Sequence, residues 1–227
     1  RWLQRHPKGL HYPRLMTGEA AGRNQSYHIK VSSDAAFKKE EDKGHSMRGA
    51  CFIRSCGQSE QAFTSSCRGH LLDFISRSQR HVTRSTFAAE LFSACDSADH
   101  GILLSLLLHE VCIGAVSKAE ARRLREEGGY TIPMAIFIDA MSVFAAVSAT
   151  TIKIPADKSL LSHVQYLREL LDQAVLFAII WQDTRDMICD GLTKGSVDRC
   201  LLHSLMDGEI CTKHAMKVWR PKRLSKS

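Results

Sequence analysis

The spacing of apolar residues along the chain changes character near residue 86. Before it, the run YHIKVSSD from Tyr27 alternates apolar and polar side chains, which predicts a strand with one buried face ending at Asp34. The charged loop KKEEDKG follows, then a second short run, GACFIRSC. Polar residues 57–70 turn the chain, and LLDFISRS with HVTRS supplies a third strand and its exit. Three strands in succession predict an antiparallel meander. From Thr86 the period becomes helical: Phe87, Leu91, Ala94, Ala98 and Ile102 recur three or four residues apart, out to about Ile113, and Gly114 ends the helix. Ser117 with Glu120 makes a capping box for a second helix, closed at Gly128–Gly129. IPMAIFID is a short continuous apolar run of the buried-strand kind, AMSVFAAVSA a helix, Ser159 to Ala174 another, and VLFAIIW a second buried strand. A short helix carries MICDGLTK, and a last one covers about 197–207. Helices alternating with buried strands imply an α/β fold, a mixed sheet with helices on its faces.

Composition adds bounds. At 227 residues and 44% hydrophobic, the chain is long enough for one core with flanking segments. Residues 1–26 are basic and irregular, with Pro7 and Pro13, and are assigned as a connection from a preceding domain; the domain itself is placed at 27–208, and 209–227 is a basic tail. The first residue is Arg1, so the chain is expected to be a piece of something longer. The net charge of +7 favours an anionic partner such as nucleic acid and is silent on fold. Eight scattered cysteines include no CxxC pair, which argues against a structural zinc site and for a reducing compartment. No signal peptide is recognised, and the apolar stretch Gly101 to Leu108 stops at His109 and Glu110, so no membrane role is expected.

Four acids stand out by position. Asp34 and Asp139 each end a strand, where ligands gather in open α/β sheets. Asp190 lies on the short helix after the last strand, and Glu90 borders the core-facing stripe of the long helix, given about 100° per residue. Asp96 falls on the opposite, solvated side. A carboxylate at a buried face costs several kcal/mol uncompensated, and clustered carboxylates repel. Divalent cations with hard oxygen ligands, magnesium or manganese, remove both objections, and two of them about 4 Å apart can hydrolyse a phosphodiester. Each acid also has an ordinary reading: Asp139 as the cap of AMSVFAAV, Glu90 as an ion-paired edge residue, and Asp190 in competition with Asp183 and Asp186. Arg77, Arg80, His81 and Arg84, between the third strand and the long helix, are either phosphate contacts or a solvated turn. Trp219 with Arg220, Lys222 and Arg223 suits stacking on nucleic acid or a mobile tail, and His163 is assigned a structural role.

Between Tyr27 and Gly195 the chain resembles the RNase H domain of copia-type retrotransposon polyproteins. VSSDAAF resembles the family's "SDADW" segment, LLDFISRSQRHVTRSTFAAELFSA its "ISWKSKKQ…VALSSTEAEYMAL", IFIDAMSVFAAV its "LYCDNQSAIAL", and IIWQDTRDMICDGLTKG its "YVPTEEQLADILTK". SLLSHVQYLREL is similar to the helix "TKHIDIRYHFIRE" between the last two, and the order agrees throughout. The resemblance implies an RNase H-like fold with a five-stranded mixed sheet, three antiparallel strands first, flanked by helices. It implies two magnesium or manganese ions on Asp34, Glu90, Asp139 and Asp190, cutting of the RNA strand of RNA–DNA hybrids, an upstream reverse transcriptase, and a cytoplasmic, particle-associated location with access to the nucleus. Departures are Phe37 for Trp after the first motif, Phe74 near a second expected Trp, Ala140 for Asn after the third acid, and no His within Gln182–Ile188. Two rivals remain: a decayed domain that only binds nucleic acid or polyprotein, and an integrase or transposase, which orders its acids differently and usually carries a zinc module.

Overall fold

The computed structural model describes residues 9–15, 25–37, 45–58, 61–80, 82–152 and 154–222. The alternating segments become β1 (Gln25–Ala36), β2 (Met47–Gln58) and β3 (Cys67–Ser78), an antiparallel meander with a register shift at Phe52/Ile53. The two continuous apolar runs become β4 (Met134–Ile138) and β5 (Ala178–Trp181). β4 joins β1 in parallel and β5 joins β4 in parallel. A one-turn helix, α1 (Gln61–Thr64), links β2 to β3. The remaining helices are α2 (Thr86–Ile113), α3 (Lys118–Glu127), α4 (Met141–Ser148), α5 (Leu161–Asp172), α6 (Asp190–Thr193) and α7 (Cys200–Met206). The arrangement is mixed α/β, with helices against the sheet, as the alternation of helical and buried-strand patterns predicts.

The sheet has seven strands, not five, in the order β6-β3-β2-β1-β4-β5-β7. The additions are β6 (Glu209–Ile210), against β3, and β7 (Lys217–Trp219), antiparallel to β5. Both lie in the stretch assigned from sequence to a basic tail. Strands of two and three residues carry no readable alternation, because backbone pairing rather than side-chain pattern places them. The bracket is Asp186: its buried carboxylate accepts from the amides of Lys213 (3.0 Å) and His214 (2.9 Å) and lies 3.0 Å from His214 Nδ1.

Strand parity divides the core. Ile29 and Val31, Ala50 and Phe52, and Ile136 and Ile138 face α2, α4 and α5, where Leu91, Ala94, Ala98, Val147, Val164 and Leu167 meet them. On the other face, Cys51, Ile53 and Leu71 pack with Ile188, Cys189, Leu202 and Leu205, while Phe63 covers Phe137 and Ile180. α2 starts at the Ser85 cap, which accepts from the Ala88 amide at 3.1 Å. It lies close to the sheet because small residues face it: a Cβ at Gly101 would fall 2.5 Å from Met134 Sδ. Ser93 donates to the Asp34 carbonyl at 2.9 Å, and Ser33 Oγ lies 3.0 Å from Ser93 and 3.2 Å from Ser97. Contrary to the expectation from sequence, one helix, α2, is long and apolar enough to cross a bilayer: it has 28 residues, and its most apolar window has a mean hydropathy of 1.3. Half of that window is buried inside the fold, as in a core helix. The eight cysteines are all free thiols.

Asp186→Ala strips three hydrogen bonds from one buried carboxylate, so urea melts should show a loss of about 2–4 kcal/mol. Asp183→Ala removes a solvent-screened pair with Arg185 and a cap to its amide, and should shift the same melts much less than Asp186→Ala.

Candidate metal centre

Parallel pairing sets the site. Ser32 lies opposite Phe137 in the β1–β4 ladder, so Asp34, two residues on, is level with Asp139 just past the end of β4. Asp190, the first residue of α6, approaches from the other side of β1. Gly49 makes that approach possible. It pairs with Asp34 across the β1–β2 ladder, and a Cβ there would sit 2.6 Å from Thr193 Cγ2, 3.2 Å from Leu192 Cβ and 3.3 Å from the Cys189 carbonyl. One carboxylate oxygen from each of Asp34, Asp139 and Asp190 lies within 4.8 Å of the others. Glu90 sits one turn into α2, outside this tight group but next to it, with 7% of its surface exposed.

The charges register one another. Burial pushes Asp34 up to about 6, the Thr193 hydroxyl and Lys194 pull it back, and Asp139 and Asp190 add repulsion. Burial, then Asp34 and Asp139, push Glu90 up to about 9, against a hydrogen bond from the Ala35 amide. Burial also raises Asp139, opposed by the Thr184 hydroxyl. The Asp139 carbonyl accepts from Trp181 Nε1 at 2.8 Å. α4 is capped at Ala140 without a side-chain hydrogen bond, so Asp139 is not its cap. No carboxylate–cation pair involves Glu90 among the described residues, which removes its edge-pair reading as well.

The donor set fits a divalent cation on two observations. Asp34 Oδ1 is buried without a hydrogen-bond partner among the described residues, while Oδ2 is held by the Thr193 hydroxyl. The Lys194 ammonium lies 2.5 Å from Asp190 Oδ1 and 3.8 Å from Asp34 Oδ1, so the protein's own cation has been drawn among the acids. Three carboxylates with oxygen-only donors suit magnesium or manganese. Thr184, Thr193, Lys194 and Gly49 were missed from sequence. Thr193 and Lys194 follow Asp190 by three and four residues, the spacing that puts helical side chains on one face.

Arg77 and Arg80 are exposed at the exit of β3 and close enough to the buried Arg48 to help burial lower it; Arg48 is ion-paired with the half-exposed Asp96. Arg84 is exposed on a groove between the start of α2, α4 and residues 154–160. His81 and Arg223 lie outside the described residues. Trp219 sits in β7 with the Arg168 guanidinium 5.9 Å from its ring centroid, and His163 packs edge-on to Phe92 at 4.7 Å.

No family model matches the chain, and no curated protein matches it in sequence. Among solved structures it is similar to the N-terminal RNase H domain of a Mycobacterium tuberculosis protein, determined as a fusion with maltose-binding protein. The identity is 14%, the TM-score is 0.39, and the match covers 74% of this chain and 91% of that chain.

Two outcomes follow from buried like charge. Folded Glu90 holds its proton up to about pH 9, whereas unfolded it releases it near 4.5. Between those values the folded state carries the extra proton, so stability falls as pH rises. In chelator at pH 7, Glu90→Gln should therefore be more stable than the parent by about 1–3 kcal/mol, with the gap closing near pH 4. Excess magnesium should reverse the order. Gly49→Val should lose about 1–3 kcal/mol in urea and weaken magnesium binding measured by calorimetry, because α6 is pushed off β2.

Proposed function

We propose that this chain is the RNase H domain of a copia-type retrotransposon polyprotein and hydrolyses the RNA strand of RNA–DNA hybrids. The observation that carries the reading is the convergence of Asp34, Asp139 and Asp190, with Glu90 beside them, at the level ends of two parallel strands. The ordered sequence segments from Tyr27 to Gly195 support the narrower family.

Asp34, Glu90, Asp139 and Asp190 would hold two magnesium or manganese ions, which when bound supply charge stabilisation for the phosphodiester and acidity to water. The chain's own groups orient that set. Thr193 fixes one oxygen of Asp34 and Thr184 fixes Asp139, and the other Asp34 oxygen is left without a hydrogen-bond partner among the described residues. Burial and the neighbouring Asp34 and Asp139 favour the neutral form of Glu90, so its carboxylate form calls for positive charge close by. Discrimination of RNA from DNA rests on 2′-hydroxyls and groove shape, since phosphate contacts do not distinguish them. Arg77, Arg80 and Arg84 are the phosphate contacts of this reading. An upstream reverse transcriptase gripping the same hybrid would raise apparent affinity about 100-fold or more by effective concentration. The setting is a cytoplasmic particle with access to the nucleus.

Lys194 favours a second reading, in which the domain has decayed and its ammonium neutralises the acids for good. Calorimetric titration separates the two: millimolar or tighter magnesium binding supports the nuclease, and none supports the decayed domain.

With magnesium or manganese, the chain should cut a labelled hybrid and leave duplex DNA nearly untouched. Asp139→Asn should lower the rate by at least about a hundredfold. Equal cleavage of duplex DNA would identify a different nuclease.

A further inference from the structure

Away from the acids, the second face of β1 buries an amine. Lys30 shares the parity of Ser32 and Asp34 and is 4% exposed. Its Nζ donates to Cys67 Sγ at 3.4 Å, across from β1 to the start of β3. No carboxylate pairs with Lys30 among the described residues. Asp186 shares a narrow cavity with it, together with Gln182 and Thr212, but the Asp186 carboxylate is committed to Lys213 and His214. On the same face of β1, His28 is pushed down to about 4 by burial and by Lys30, which favours its neutral form, and an imidazole is no counter-ion for an ammonium. A buried ammonium without a counter-ion is driven toward the neutral amine, and burial lowers Lys30 accordingly. Once deprotonated, the amine carries a nucleophilic lone pair, and its one hydrogen-bond partner among the described residues is a thiol. Cys67 is partly exposed and within reach of small oxidants, unlike the fully enclosed Cys51 and Cys189.

We propose that Lys30 and Cys67 form an oxidative modification site, closed by hydrogen peroxide into a reversible sulfur–nitrogen cross-link between β1 and β3. In the first step the Cys67 sulfur attacks peroxide. The O–O bond breaks, an S–O bond forms, and one water leaves, giving a sulfenic acid. In the second, the Lys30 lone pair attacks that sulfur. An S–N bond forms, the S–O bond breaks, and the hydroxyl departs with an amine proton as a second water. Sulfur loses two electrons and peroxide gains two. A dithiol reverses the change, returning thiol and amine and ending as its own disulfide. Closure protects the thiol from irreversible further oxidation, and it ties the strand that carries Asp34 to the edge of the meander.

The test is peptide mapping by mass spectrometry of the whole chain after peroxide treatment, under non-reducing conditions. The expected product is one joined peptide containing Lys30 and Cys67, lighter by two hydrogen atoms than its parts and uncleaved by trypsin at Lys30. Dithiothreitol should restore both separate peptides. The product should be absent from Lys30→Met and from Cys67→Ser. Wild-type chain unfolded in urea before peroxide should also lack it, a control that needs no variant to fold. Recovery of Cys67 as sulfinic acid or in a disulfide, with Lys30 unmodified in the folded wild type, would overturn the proposal, as would equal cross-linking in urea.

Discussion

β1 and β4 run side by side in the same direction, and their level ends force two carboxylates into one small volume. Most other features of the acidic end answer that constraint. Thr193 and Thr184 each tie down one aspartate, and Lys194 reaches into the group from one turn beyond Asp190. Glu90 holds its proton first because its surroundings are dry and then because Asp34 and Asp139 are negative. The repulsion is tolerated because the core on the helix-covered sheet face holds the strands: Ile29, Val31, Ile136 and Ile138 are almost wholly buried there.

The third aspartate arrives by a different route, and a missing side chain permits it. α6 is a single turn and has little stability of its own. It lies against β2 because Gly49 leaves room for Thr193 and Leu192, and because Cys189 donates to the Ser32 carbonyl at 3.2 Å. Position 49 therefore belongs to the acidic cluster although it carries no functional group.

The core strands and long helices were legible from sequence because each has its own period and stop signal. Ser117 with Glu120, and Gly114, mark helix ends that the structure reproduces. Glu90 was placed at the border of the buried stripe by helical arithmetic and proves to be inside it, because Asp34 and Asp139 flank it there. The choice of Asp190 over Asp186 could not be made from spacing. It depends on where the chain after Cys211 returns, since Lys213 and His214 claim Asp186. Lys194 was hidden for a similar reason: one lysine after a short helix is ordinary until two strand ends are known to meet beside it. β6 and β7 were illegible because their few residues carry no pattern of their own.

Those two short strands bear on how the molecule behaves among copies of itself. A sheet ending in open twelve-residue β3 would offer a long row of unpaired amides and carbonyls, a template for strand-by-strand association between molecules. β6 occupies only its first residues, opposite Cys67 and Arg68. Along the remainder, the register shift opposite Phe52/Ile53 disturbs the regular ladder, and the exposed Arg77 adds repulsive charge near its end. On the other rim, β7 brings Lys217 and Arg220 to the margin beside β5, whose four residues are otherwise purely apolar up to Trp181. Basic residues outside the acidic cluster thus stand on both rims of the sheet, where like charge opposes edge-to-edge pairing of copies, a use of positive charge that requires no nucleic acid at all.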